Sequence, residues 1–187
     1  MGDLTPSKRL SRNKERRIKM TNQTMLHVLQ GSSLHSLLLL TSKVLSRSGF
    51  GEVQVLDRRE TRQKSRFGGH ELMCESTFGS LPVKVIVKVI NDSVRLRMLD
   101  ELVGAVQRTK ADLGIIVSPR HVTASARKLQ DHYKASRVNI IDGTELADRL
   151  TRLGIGVRPK GDVDFQFFGA LEEVGHRVTA FMKMGAR

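Results

Sequence analysis

The stretch LPVKVIVKVINDS, Leu81 to Ser93, decides how the chain is read. Side chains alternate across a strand, so Val83, Val85, Val87 and Val89 share one face and Lys84, Ile86 and Lys88 the other. A strand this apolar reads as central in its sheet, where a desolvated ammonium is costly unless something anionic is near. Three remedies exist: a carboxylate from another element, a phosphate from outside, or a position at the open end of the strand. The alternative is an edge strand, where inward lysines deter aggregation.

Working outward, the segments alternate in a way that sets the fold class. Upstream, Leu34, Leu37, Leu38, Val44 and Leu45 fall on one helical face, Gly49 is placed to end that helix, and Glu52 to Leu56 starts a strand. A second strand follows Gly68-Gly69 in HELMCES, and Gly79 to Pro82 turns the chain into the quoted strand. Downstream, a helix from about Val94 to Thr109 is capped by Asp92 or Ser93 and buries Leu96, Leu99, Leu102, Val103 and Val106. LGIIVS (113–118) is a strand buried on both faces, Ser118-Pro119 opens a helix through Lys134, Arg137 to Ile141 is a strand, and Asp142 to Leu150 begins another helix. The order α, βββ, α, β, α, β, α predicts an α/β domain with a mixed central sheet flanked by helices. Its expected bounds are residues 31–153, after a basic arm over 1–30. A C-terminal extension follows over 154–187, where VDFQFF suggests an edge strand and ALEEVGHRVTAFMKM an amphipathic helix that packs back or binds a partner.

Charge points to the partner. The 187 residues hold 32 Lys and Arg against 19 acids, a net charge of +13, and such a field favours polyanions. Two segments carry 8 of the 13 net charges: the first twenty residues, with Lys8, Arg9, Arg12, Arg16 and Arg17, and the loop DRRETRQKSRF (57–67), with Arg58, Arg59, Arg62, Lys64 and Arg66. No run reaches the ~20 apolar residues of a membrane span. The start of the sequence has charge but no apolar signal core, and the single Cys74 excludes an internal disulfide. An intracellular setting is therefore expected: cytoplasmic or nucleoid-associated, or nuclear or organellar in a eukaryote. No P-loop and no G-x-S-x-G elbow occurs. One tyrosine and no tryptophan argue against a base-stacking platform for single strands, though seven phenylalanines leave it open.

From Leu34 to about Leu150 the chain resembles the catalytic domain of the Mrr family of restriction-endonuclease-like proteins. The matching motifs are Gly49-Phe50 before a strand, Gly68-Gly69-His70-Glu71 at the hairpin, Lys88 on the next strand, Glu101-Leu102-Val103-Gly104-Ala105 on the helix, Gly114 to Val117, Thr123 to Ala126, and Ile141 to Leu146. The resemblance implies metal-dependent phosphodiester hydrolysis with Mg²⁺ as cofactor, Glu71 as first acid and metal ligand, and Lys88 as catalytic lysine. Hard cations of this kind take oxygen ligands, and the E/Q-x-K spacing follows from alternation on a strand.

One position departs from the family pattern. Two residues before Lys88 stands Ile86, which supplies no oxygen. Either the carboxylate has migrated, or the metal keeps one protein ligand and more water, or catalysis has been lost. For migration the neighbours are Asp100 and Glu101 on the next helix and Glu75 on the first-acid strand. Glu101 falls where the family helix is acidic in any case, which reads as structural, and Glu75 lies ~13 Å along the strand from Glu71. His70, beside Glu71, and His121, close to Ser118, read as incidental.

Two functional classes follow. The first is a DNA-binding protein, either a Mg²⁺-dependent endonuclease or a binding domain that kept the fold. It would contact phosphates through the two basic segments and Lys84, with steep salt dependence and little sequence preference. The second is an interaction subunit whose basic arm docks onto RNA or into a nucleoprotein assembly. DNA is favoured over RNA, and a homodimer or larger assembly fits either class.

Overall fold

The structure, a computed structural model, describes residues 6–51, 53–56, 70–78 and 80–184, without the side chains of 6–11, 13, 56, 70, 78 and 176–184. In chain order the elements are α1 (Pro6–Gly31), α2 (Leu34–Arg47), β1 (Val53–Leu56), β2 (His70–Phe78), β3 (Leu81–Val89), α3 (Leu96–Thr109), β4 (Leu113–Val117), α4 (Ala124–Lys128), α5 (Gln130–Ala135), β5 (Val138–Ile141), α6 (Gly143–Arg152) and α7 (Phe165–Met184). The strands form one sheet in the order β1-β2-β3-β4-β5, antiparallel through β3 and parallel from β3 to β5. The predicted mixed sheet is therefore present, and the lysine-bearing strand lies at its centre. The edge-strand alternative fails.

Alternation along β3 sorts the two cores. Val85, Val87 and Val89, with Leu72 and Cys74 of β2, face α1, α2, α6 and α7 through Met25, Leu29, Leu37, Leu40, Leu146, Leu150 and Phe168. Ile86, with Ile116 of β4 and Val138 and Ile140 of β5, faces Met98, Leu99 and Leu102 of α3 and Tyr133 of α5. Burying each such aliphatic side chain contributes about 1.5–3 kcal/mol. The hydrophobic pattern thus holds helices on both sides of the sheet.

Several local readings are corrected. The segment read as an arm over 1–30 is helical from Pro6, and its second half packs along α6 with Met25 and Leu29 fully buried. VDFQFF is not a strand: the Asp164 carboxylate accepts from Gln166 N and Phe167 N and starts α7 at Phe165. In the described part of this extension Val157 and Val163 form an isolated bridge, antiparallel to each other. Neither Asp92 nor Ser93 caps α3, which has Arg95 at its N-cap and no side-chain cap. Ser118-Pro119 opens no helix, because Ser118 Oγ donates to the Asp92 carbonyl (2.7 Å) and accepts from Arg120 N, tying the β3–α3 and β4–α4 loops together. The helix begins at Ala124 and breaks at Leu129 into α4 and α5. Asp142, by contrast, caps α6 as its position suggested, accepting from Thr144 N and Glu145 N.

Gly143 marks the tightest helix start. A Cβ there would lie 2.3 Å from the Pro119 carbonyl oxygen and 2.6 Å from Leu26 Cδ1. Gly143→Ala should cost about 2–3 kcal/mol, read as a lower urea midpoint, because backbone as well as a side chain must shift. Gly169→Ala, on α7 with nothing within 4 Å, should be neutral or stabilising and serves as the control.

Cys74 is 1% exposed, and burial pushes its thiol up from 9.0 to about 11. At pH 8 its thiolate fraction should then be about 100-fold below that of an ordinary thiol. Native protein should react with a disulfide reagent at least that much more slowly than urea-unfolded protein, and comparable rates would refute the buried placement.

Candidate active site

Lys88 is the penultimate residue of β3 and is 1% exposed. Its ammonium donates to Glu101 Oε2 at 2.7 Å, with the two side chains 2% and 31% exposed. Glu101 arrives there because α3 is amphipathic. Met98 and Ala105, one turn to either side of it, are buried against the sheet, so position 101 shares their flank and its carboxylate overhangs β3. A charge-assisted bond at this distance is among the stronger polar contacts a protein makes.

Glu71 completes the constellation from β2. It stands directly opposite Lys88 in the antiparallel pair, half-buried, and residues so paired point to the same face with Cβ atoms about 4.5–5.5 Å apart. The Lys88 ammonium is thus bonded to the carboxylate of the covering helix, with Glu71 on the neighbouring strand facing the same side of the sheet. Glu71 is also paired with Leu56, so the described end of β1 and the described start of β2 lie beside this site. Arg58, Arg59, Arg62, Lys64 and Arg66 themselves lie outside the described residues.

Ile86 is fully buried in the core beneath α3. The position that carries an oxygen ligand in the resembled family is here a packing residue, and the carboxylate near Lys88 comes from Glu101. The other migration partners do not reach. Asp100 accepts from the Tyr133 hydroxyl (2.5 Å), and burial, then this hydrogen bond and the carboxylate charge, push that hydroxyl up to about 12. Glu75 is exposed and paired with Lys84.

Lys84 lies four residues back along β3, ~13 Å from Lys88 at strand rise, and its backbone exchanges hydrogen bonds with Asp112 (both 2.8 Å). The structure does not bring it to Lys88. Arg12, Arg16 and Arg17 are exposed on α1, while the side chains of Lys8 and Arg9 on the same helix, and that of His70, lie outside the described residues. His121 Nδ1 is 3.2 Å from Ser93 Oγ, and both sit on loops at the carboxyl ends of the parallel strands.

The sequence placed Glu101 as a structural acid and did not pair it with Lys88, though a signal for that pairing was available. An acid on the buried flank of a helix, facing a strand with two lysines, answers the question that the lysines raise. Among the described residues no group of three or more His, Cys, Asp or Glu side chains is placed to hold a metal. Two carboxylates remain, and these are hard oxygen donors of the number that Mg²⁺ takes from protein when water and substrate phosphate supply the rest. The donor set fits such a cation.

The strand order and the helices on both faces define a restriction-endonuclease-like fold. The chain belongs to the restriction endonuclease family Mrr_cat, whose match spans residues 29–150. Among solved structures it is similar to the MspJI restriction endonuclease in complex with a 27-mer oligonucleotide, with TM-score 0.53 and 19% identity over 83% of this chain. It is also similar to the DNA modification-dependent restriction endonuclease AspBHI, with TM-score 0.53 and 10% identity over 86% of this chain. The chain covers 35% and 40% of those two proteins respectively, and at these identities the likeness is one of fold. No curated protein sequence matches it. No helix among the described residues is long and apolar enough to cross a membrane.

Proposed function

We propose that the domain hydrolyses phosphodiester bonds of DNA with a divalent cation, Mg²⁺, through Glu71, Glu101 and Lys88. The observation that carries this reading is the 2.7 Å contact between Lys88 and Glu101, which supplies a second carboxylate where Ile86 has none. The carboxylates of Glu71 and Glu101 would hold the cation. When bound, it would polarise the scissile phosphoryl group and lower the pKa of a water molecule at neutral pH. Lys88 orients and stabilises the attacking oxygen, or the charge that develops on the phosphate, and its burial strengthens that effect. The basic residues of 57–69 would grip backbone phosphates beside the reacting one, which gives affinity without sequence preference.

MspJI was solved with an oligonucleotide, which agrees with a nucleic-acid substrate for this relative in fold. Recognition of a particular sequence or base modification would call for surface beyond the third or so of those enzymes that this chain matches.

Supercoiled plasmid incubated with Mg²⁺ or Mn²⁺ tests the proposal. The intact protein should nick or linearise it, and Glu71→Ala and Lys88→Ala should not. Cleavage unchanged in both variants rejects this site. Salt-sensitive binding of duplex without cleavage by the intact protein would leave the domain as a binding module, the reading that the packed Ile86 favours. Equal weak binding to duplex DNA, structured RNA and single strands would count against DNA as the substrate.

A further inference from the structure

A second cationic surface lies far from Lys88. Helix α1 runs antiparallel to α6: a Cβ on Gly143 would meet Leu26 Cδ1, Asn22 Nδ2 donates to Asp148 Oδ1 (3.3 Å), and the Thr21 hydroxyl donates to the Gly161 carbonyl (2.7 Å). At the other end of α1, the Ser32 carbonyl accepts from Asn91 Nδ2 (2.8 Å) just past β3. Lys14 is 18 residues before Ser32, which at helical rise sets it about 27 Å from that end. The helix also packs on the opposite face of the sheet. Met25 and Leu29 join the core of Val85, Val87 and Val89, whereas Lys88 points toward α3.

Between the first half of α1 and residues 157–161 is a cleft of about 480 Å³, and Lys14, Arg17 and Lys160 line it without a carboxylate. Arg17 donates to the Lys160 carbonyl and so fixes the loop against the helix. Lys14 and Lys160 have no ion-pair partner among the described residues. Thr21 and Thr151 add hydroxyls, and Ile18, Val157 and Pro159 give the cleft apolar walls. Outside it, Arg12, Arg16 and Lys19 are exposed at i, i+4 and i+7 along α1, a stripe about 10 Å long on one face, with Glu15 as its one acid and a net charge of +2 (three cations less one acid). The cleft itself is lined by no acid, and the cations gathered there repel one another until an anion neutralises them. A small anion would need only the cleft, whereas charge that continues along the helix matches an extended polyanion.

We infer that this cleft and the cationic face of α1 form a second phosphate-binding surface, holding a stretch of nucleic-acid backbone separate from the one at Lys88. A straight duplex lying across Lys88 and Glu71 does not reach the far end of the opposite face, so the second surface takes another segment or another duplex. The chain then bridges two stretches of nucleic acid. This does not depend on the chemistry at Lys88.

The test is a bridging assay with the full chain and no divalent cation. Protein is bound to a duplex fixed on beads, and capture of a labelled free duplex is measured. The intact protein should capture it, and Lys14→Glu with Lys160→Glu should reduce capture at least tenfold while retaining plasmid cleavage and an unchanged melting temperature. The neutral pair Lys14→Gln with Lys160→Gln should fall between, with the salt slope of capture reduced by about 2 for two lost phosphate contacts. Undiminished capture by the charge-reversed variant, as a bridge through protein dimers would give, overturns the inference. So does capture abolished by a nucleoside monophosphate where inorganic phosphate has no effect, which would mark a small-ligand cleft. Retention on polyglutamate but not on DNA would assign the surface to an acidic protein and overturn it as well.

Discussion

Glu101→Gln should lower Mg²⁺-dependent plasmid cleavage by a factor of about 10²–10³, as far as Glu71→Gln does, because on the proposed reading each removes one charged ligand of the cation that acts on the phosphate. The substitution is chosen to leave the packing alone. Glutamine keeps the volume, keeps a carbonyl oxygen within reach of the Lys88 ammonium, and loses only the negative charge. Glu101 is 31% exposed but Lys88 only 2%, so the amide leaves a buried ammonium with a weaker acceptor, and some loss of folding stability is expected in either role. Cleavage measured where the variant is still folded therefore separates the two roles this side chain could have. A mere counter-ion for a buried lysine would leave cleavage within a few-fold of the intact protein under those conditions. That outcome would remove Glu101 from the site and return the question to Ile86.

Much of the fold was legible because burial writes a pattern. The valines of Leu81 to Val89 and the doubly buried LGIIV imposed a central sheet, and Asp142 marked the start of its helix where the structure has it. Turn and capping chemistry was less legible. Ser118 resembles a cap in sequence, yet its hydroxyl is used to tie two loops 26 residues apart, and that partner is visible only in three dimensions. VDFQFF alternates like a strand, but the preceding Asp164 caps a helix and Phe168 is buried in the core through that helix. The basic start of the chain read as an arm because its charge outweighs its periodicity, although Met25 and Leu29, four apart, already defined a buried face. At the site, Glu71 and Lys88 were singled out by the family resemblance, and their backbone pairing across β2 and β3 is local strand geometry. Glu101 did not, since its approach to Lys88 depends on how α3 lies across the sheet.

Lys88→Met should abolish cleavage, by at least about 10²–10³, without unfolding the protein. Methionine nearly matches the lysine stem in length and would fill the space above Ile86 with an apolar chain. At 2% exposure the ammonium has given up nearly all its hydration, at an effective cost of several kcal/mol, which its bond to Glu101 returns only in part. Replacing a buried charge by a packed apolar side chain is often neutral or stabilising by about 1–4 kcal/mol. The usual objection is the stranded partner, but Glu101 is open enough to solvent to be rehydrated once Lys88 is gone. The variant should therefore melt at or above the temperature of the intact protein and still bind duplex within a few-fold, since the phosphate grip is assigned elsewhere. A loss of stability of 3 kcal/mol or more, or cleavage that survives, would mean that the lysine holds the fold together rather than serving the reaction. The expected pairing of lost activity with kept or improved stability has a physical reason. A lysine that is costly to bury, at the centre of a sheet that valine or methionine would complete more cheaply, is what the proposed role at a phosphate requires, and that pairing of outcomes would mark the charge as kept for the reaction.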